Sequence, residues 1–295
     1  MSTLAEILLN GLSLGSVYAL IALGFVVIFR ATEVVNFAHA SLLLAGGYIT
    51  ATLHDDIGFW PALLAGIAGA ALVGAAVEFL VMRRYRGSDH SVLAIVTIGV
   101  DILLTTELTR RIGTDVIPLG DPWGDAVLRL GPVSLAHTRI AAFVAAVLLI
   151  GAFLLAFRYT SGGGDARGGG ELGDRGADGC TARAGLAERL GRAGGLAAVA
   201  ALFLTVFPTP GLERATSLAA LKAFPAAILG GLDSTTGALV GGLLVGVTES
   251  LATGYQGDLT FLGRGLGDLA PYLVMVAILL IRPAGLFGTK ELARV

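Results

Sequence analysis

Residues 11–48 form a hydrophobic stretch that is interrupted once by a short polar segment and then resumes without a linker of ordinary length. The first part is long enough to cross a bilayer and stops at Arg30, and the second part begins at Ser41. Asn36 and His39 stand in the interruption. Because broken backbone is costly in lipid, such a break is tolerated only where protein buries it or where it lines a watery path. This stretch restricts the chain to a membrane protein whose helices are interrupted within the bilayer.

The composition agrees with that restriction. Of the 295 residues, 55% are hydrophobic and only 14% are charged, whereas soluble domains carry roughly 25% charged residues. We therefore expect one all-α, polytopic transmembrane domain covering residues 1–295. The net charge of -2 gives no sign of a nucleic-acid partner, and the single cysteine, Cys180, excludes an intramolecular disulfide framework and a cysteine-rich metal site.

Apolar runs predict a helix bundle of about 8–9 spans, some of them short or broken, because roughly 20 residues cross the hydrocarbon core. The predicted spans are residues 4–29, 41–53, 61–82, 91–108, 140–157, 196–207, 217–229, 237–251 and 269–281. Residues 114–138 contain the alternating string VLRLGPVSL and predict an external loop with a small hairpin.

Arginines in the short loops predict the orientation of the chain. The cluster at 83–86, Arg158 at the end of the fifth span and Arg282 near the C-terminus are consistent with an outside N-terminus and a cytoplasmic C-terminus. Arg110 and Arg111 argue against this orientation, because they fall at the outer end of the fourth span.

Residues 161–195 do not fit the rest of the chain. Glycine accounts for 13 of these 35 residues, and the segment has no aromatic residue and no β-branched aliphatic residue, so it has no face to bury. One interpretation is a flexible cytoplasmic linker. The other is a compensated frameshift in a GC-rich gene, since the composition changes abruptly after Thr160 and returns near Leu196.

Several polar residues within the apolar runs are candidates for a functional role. Asp101 lies in the middle of a run, whereas Glu78 and Glu249 lie nearer to the ends of theirs. Intramembrane carboxylates are costly unless they are paired, so each is a functional hypothesis. Glu78 lies about one turn before Arg83, and an interfacial ion pair is the favoured interpretation of that residue. Asn36 and His39 either line a path or satisfy backbone groups at the helix break, and an ordinary polar loop is the alternative.

The glycine-rich string GGLDSTTG at 230–237 is only superficially similar to a phosphate loop. It lacks the Gly-Lys-Ser/Thr ending that nucleotide binding requires. We expect instead a tight turn that leads into a helix with a small-residue packing face at Gly237, Gly241 and Gly242. The sequence shows no catalytic triad or zinc-protease motif, and we expect neither catalysis nor a metal site in this chain.

In combination and order, several strings resemble the permease subunits of bacterial branched-chain amino acid ABC transporters. These strings are GSVYALIALG at 15–24, VNFAH at 35–39, EFLVMRRYR at 78–86, TIG at 97–99, ILGGLDSTTGALVGG at 228–242 and RPAGLFG at 282–288. The resemblance covers about 1–160 and 196–290, on both sides of the anomalous segment.

The resemblance implies an inner-membrane pore formed by two permeases, driven by two cytoplasmic ATP-binding cassette subunits and supplied by a periplasmic amino-acid-binding protein. ATP would be bound by the partner subunits, and no cofactor by this chain. Related permeases carry urea or short amides, so that substrate class stays open. An ion-coupled secondary transporter and a membrane scaffold without transport activity are alternatives from other classes.

If the chain forms such a pore, the candidates for lining its translocation path are Tyr18, Asn36, His39 and Asp101. The resemblance also implies a docking region for the ATPase. The string Arg158, Tyr159 and Thr160 matches the point after which the family continues with a helical loop that docks on the ATPase. Residues 161–195 depart from this pattern, since each glycine costs a helix roughly 1 kcal/mol relative to alanine. We therefore expect weak ATPase coupling for the chain as written.

Overall fold

The computed structural model describes residues 2–85, 89–114, 116–118, 127–130, 133–161, 211–212, 216–258 and 265–288. The helices in these residues are α1 (Ser2–Thr32), α2 (His39–Ile57), α3 (Phe59–Leu80), α4 (His90–Ile112), α5 (His137–Ser161), α6 (Thr216–Leu221), α7 (Ala223–Gly230), α8 (Thr235–Gly254) and α9 (Leu266–Ile281). Strands β1 (Val127–Leu130) and β2 (Val133–Ala136) pair antiparallel, which confirms the hairpin predicted within 114–138.

Helix α1 lies at the centre of the bundle, and all its side chains from Ser13 to Val26 are buried. It packs mainly on α8, with further contacts to α5 and α7. Gly11 and Gly15 of α1 lie against the backbone of Val247 and Leu243 in α8. Small residues let two membrane helices approach this closely, and the close approach provides van der Waals contact between their backbones.

The predicted packing face of α8 is confirmed. A Cβ atom on Gly237 would meet the carbonyl of Gly230 in α7, and one on Gly242 would meet the backbone of Ala19 in α1. Gly241 lies equally close to the carbonyl of Ala226. The three glycines of this face therefore allow close contact between α8 and its neighbours α1 and α7.

Helices α2 and α3 form a second closely packed pair, joined by a turn at Gly58, whose φ of +83° favours glycine. Gly66 of α3 faces Thr50 and the carbonyl of Gly46 in α2. Helix α4 also packs on α2.

The described residues hold four helices that are long and apolar enough to cross a membrane: α1, α3, α4 and α8. Shorter apolar helices occur in α5, in α6 with α7, and in α9. The chain is therefore a multi-pass helical membrane protein, but these helices do not confirm the count of about 8–9 spans. Helix α2 covers the predicted second span and is not among the four. The predicted sixth span, 196–207, and all of the glycine-rich segment after Ser161 lie outside the described residues.

Candidate functional site

A buried hydrogen bond joins the centre of α1 to α8. The Tyr18 hydroxyl donates to Oε2 of Glu249 at 2.7 Å, although the two residues are 231 positions apart in the chain. Glycines along the α1–α8 contact bring the two backbones close enough for this bond. The bond provides the buried Tyr18 hydroxyl with the acceptor that it needs.

Lys222 adds a positive charge to this pair. It lies between α6 and α7, where one apolar helical segment is broken into two. Its Nζ donates to Oε1 of Glu249 at 2.7 Å and to Oδ1 of Asp268 in α9 at 2.6 Å. We call Tyr18, Lys222, Glu249 and Asp268 the four-helix charge cluster, since it joins α1, the α6–α7 break, α8 and α9.

Exposure differs strongly across the four-helix charge cluster. The side chains of Lys222 and Glu249 are 17% and 11% exposed, whereas that of Asp268 is 75% exposed. The Lys222–Glu249 pair is therefore removed from solvent, and in a membrane interior such charges persist only when they are paired. Asp268 forms the open end of the cluster, in the first turn of α9, where a carboxylate also interacts favourably with the helix dipole.

Sequence reasoning missed two members of this cluster. Lys222 falls inside the predicted span 217–229 and Asp268 just before the span 269–281, so neither was considered beside Glu249. The available signal was the cost of a lone lysine inside an apolar run, which requires a partner of opposite charge. Tyr18, which was a candidate, does lie in the cluster.

Asn36 lies at the helix break before α2. Its Oδ1 accepts a hydrogen bond from the backbone N–H of Ala38 at 3.0 Å, and the N–H of Phe37 donates to Thr97 Oγ1 of α4 at 3.2 Å. The side chain therefore satisfies the broken backbone, which was one of the roles considered for it. A role in lining the path stays a prediction.

His39 is fully buried at the start of α2. Its ring lies against Gly24 of α1, where a Cβ atom would overlap the imidazole, and meets Phe25 edge to face with ring centroids 4.7 Å apart. Phe37 and Phe25 both contact Phe224 of α7, at centroid distances of 5.3 and 5.6 Å. The VNFAH turn is therefore inserted between α1 and α7.

The Gly24–His39 contact can be tested by substitution. Gly24→Ala is expected to lower the melting temperature because the new methyl group overlaps the buried imidazole. In Gly24→Ala/His39→Ala the ring is absent, so the double variant is expected to lose less stability than the sum of the two single variants. Thermal unfolding of the purified variants in detergent measures this difference, and simple additivity would show that the two residues are not in contact.

Asp101 lies apart from the charge cluster, on the side of α4 that faces Ser41 of α2. Its Oδ1 and the Thr105 Oγ1 one turn later are buried and have no hydrogen-bond partner among the described residues. The four sequence candidates thus lie in three places: Tyr18 in the cluster, Asn36 and His39 in the turn before α2, and Asp101 between α2 and α4. Their assignment to one path stays a prediction.

The candidate docking residues Arg158, Tyr159 and Thr160 form the last turn of α5 before it ends at Ser161. The loop that would follow them lies outside the described residues. In the part of the chain that the structure describes, no group of three histidine, cysteine, aspartate or glutamate residues could hold a metal ion.

The chain matches relatives along nearly its whole length. It is 27% identical to the high-affinity branched-chain amino acid transport system permease protein LivH of Escherichia coli K12, over 97% of this chain and 96% of the relative. It is 29% identical to the corresponding protein BraD of Pseudomonas aeruginosa, over 98% and 97%. A probable branched-chain amino acid transport permease protein LivH of Methanocaldococcus jannaschii is 28% identical, over 93% and 90%. No solved structure matches the chain.

A family model agrees with these relatives. The model described as branched-chain amino acid transport system / permease component matches residues 7–171, which include the break before α2 and Tyr18 and end within the glycine-rich segment. The match covers more than half of the chain and identifies a transport subunit and not an enzyme. The chain therefore belongs to the family of permease components of branched-chain amino acid transport systems.

Proposed function

We propose that this chain forms half of the pore of an ATP-driven importer for branched-chain, hydrophobic amino acids. The substrate class rests on one observation: relatives named for branched-chain amino acid transport match the chain from end to end. The four-helix charge cluster supports a transport role, because charges at a helix break inside a membrane protein mark pathways more often than packing sites.

The other components follow from the same proposal. A second, related permease completes the pore, two ATP-binding cassette subunits bind ATP on the cytoplasmic side, and a periplasmic binding protein delivers the amino acid. In this proposal the chain itself binds no cofactor. The path is proposed to pass Tyr18, Asn36, His39 and Asp101, and the ATPase to dock after Arg158, Tyr159 and Thr160. The remaining spans of the predicted 8–9 complete a single domain.

The helix directions support an inner-membrane orientation with the N-terminus outside. Helices α1 and α8 are antiparallel, because Gly11 lies against Val247 and Gly15 against Leu243. Alternation along the chain then brings the ends of α3, α5 and α9 to the end of the bundle at which α1 terminates. These ends carry the arginines at 83–84, 158 and 282, and arginine-rich ends are cytoplasmic.

Arg110 and Arg111, at the opposite end of the bundle, were the objection to this orientation. Both donate to Glu107 in the last turns of α4, at 2.7 to 3.0 Å. The positive-inside rule counts lysines and arginines and gives acidic residues little weight, so these ion pairs do not remove the objection.

The test of the proposed function is uptake of radiolabelled leucine into proteoliposomes that contain the chain with its partner subunits. Two chains are compared: the one printed here, and one whose residues 161–195 are replaced by the corresponding loop of the Escherichia coli relative. We expect weak uptake from the first and strong uptake, dependent on ATP and binding protein, from the second, because each glycine costs a docking helix roughly 1 kcal/mol relative to alanine.

Three results would contradict the proposal. Uptake that follows a proton or sodium gradient without the ATPase would indicate a secondary transporter. Uptake of urea or short amides in preference to leucine would change the substrate class. The absence of any uptake by the loop-replaced chain, with all partners bound, would indicate a scaffold subunit.

A further inference from the structure

The principal helix contacts among the described residues divide into two groups. Helix α2 packs on α3, α4 and α6, and we call these four helices the α2 group. Helix α8 packs on α1, α7 and α9, and α1 also packs on α5, and we call these five helices the α1 group. Lys222 connects the two groups, since α6 belongs to one and α7 to the other.

The α7 side of this connection is firmly attached to the α1 group. Its last residues accept hydrogen bonds from the C-terminal segment: the N–H of Leu286 donates to the carbonyl of Leu229 at 2.8 Å, and that of Phe287 to Gly230 at 3.0 Å. Gly230 also lies against the backbone of Gly237 at the start of α8. Any change of angle between α6 and α7 would therefore fall at Lys222, the residue between them.

Among the described residues, the two groups also meet through rings and a glycine. The imidazole of His39 in α2 rests against Gly24 of α1 and on the ring of Phe25. Phe37, in the turn before α2, contacts Phe224 at the start of α7. Contacts of this kind allow small sliding movements, as in the shear motions of packed helices.

We propose that Lys222 is a positioning residue of transport, whose ion pairs set the angle at the α6–α7 break about which the α2 group and the α1 group move. A lysine suits this position because its ammonium is a compact charge on a flexible stem. It can keep Glu249 as a partner while its backbone rotates and its bond to the exposed Asp268 lengthens. The inference rests on the proposed function, since the movement it describes is the one that opens and closes the pore.

The experiment measures the distance between the two groups in the complete transporter. The loop-replaced chain is used. Its replacement loop contains no cysteine, and because Cys180 is removed with the original loop, no cysteine remains to compete for the spin labels. Spin labels are placed at Ile57, the end of α2, and at Tyr255, directly after α8, which are 47% and 40% exposed. A second pair, Val144 and Tyr255, lies within the α1 group. Trapping the ATPase with ATP and vanadate is expected to change the first distance and leave the second unchanged.

Two variants of Lys222 separate positioning from stability. Lys222→Met is expected to lower the melting temperature, because Glu249 then loses its cation. Lys222→Met/Glu249→Gln removes both buried charges and is expected to regain most of that loss, since a neutral pair is tolerated where a lone charge is not. Both variants are expected to lose the ATP-driven distance change and to reduce the maximal uptake rate at least about tenfold, with little change in half-saturation.

Lys222→Arg retains the positive charge, so we expect this variant to fold even if the two preceding variants do not. Its planar head cannot follow both carboxylates through the movement, so we expect a lower maximal rate at an unchanged melting temperature. Thr248→Val, next to Glu249 on an exposed face of α8, is the matched control and is expected to transport normally.

The inference is overturned if the double variant regains the uptake of the otherwise unchanged loop-replaced chain together with its stability, if Lys222→Arg transports at the full rate, or if the variants keep the distance change. It is likewise overturned if the distance between Ile57 and Tyr255 in the loop-replaced chain does not respond to ATP while its leucine uptake is normal. In that last case the proposed function stands. Failure of leucine uptake by the loop-replaced chain itself would reject the proposed function.

Discussion

Gly246→Val is expected to abolish accumulation of folded protein in the membrane. Gly246 of α8 lies directly against the backbone N and Cα of Gly15 in α1, and close to the carbonyl of Gly11. A side chain there meets backbone atoms, which cannot rotate away as the end of a flexible side chain can. We expect the free energy of unfolding to fall by about 3 kcal/mol, which is the upper end of the usual cost of overpacking a dense interior. The α1–α8 contact is the most extensive helix contact among the described residues.

The measurement is the monodisperse fraction of a fluorescently tagged chain after detergent extraction, with its melting temperature. Gly99→Ala is the matched control, because a Cβ atom on Gly99 of α4 has no atom of the described residues within 4 Å. That change is expected to be neutral or to stabilise slightly, since alanine is the better helix former. Normal accumulation of Gly246→Val would show that α1 and α8 do not meet along this glycine face.

Glu249→Leu is expected to destabilise the chain by about 3 kcal/mol. The change leaves the buried Tyr18 hydroxyl without its acceptor and removes the less exposed of the two carboxylate partners of Lys222. Glu249→Gln is expected to cost less, since an amide oxygen can still accept from Tyr18 and only the charge is lost. We expect the melting temperature to be highest for the unchanged chain, lower for Glu249→Gln and lowest for Glu249→Leu.

The comparison variant is Glu107→Gln at the end of α4. Glu107 also pairs with two positive side chains, Arg110 and Arg111, but these lie on the exposed surface. Exposed ion pairs contribute little to stability, so its melting temperature is expected to match that of the wild type. Equal effects at Glu107 and Glu249 would indicate that the four-helix charge cluster is not desolvated.

The sequence alone established the class of the protein and several local features. The low charge content and the long apolar runs indicated a helical membrane protein, because a helix needs roughly 20 apolar residues to cross the hydrocarbon core and satisfies its backbone within the segment, whereas a barrel strand needs only about ten. The spacing of Gly237, Gly241 and Gly242 predicted a packing face, and the alternation within VLRLGPVSL predicted the hairpin. All of these follow from neighbours in the chain, where the repeat of helix or strand decides which residues share a face.

The charge cluster could not be found in the same way. Lys222 is 27 residues from Glu249 and 46 from Asp268, and Tyr18 is 231 residues from Glu249. No helical or strand repeat connects such positions, so their meeting depends on which helices pack together. The sequence could show that a buried lysine needs a partner. Only the tertiary structure determined which residues are its partners. Helices α1 and α8 meet through their glycines, and the helix break places Lys222 beside them, so one ammonium group lies within hydrogen-bonding distance of two carboxylates.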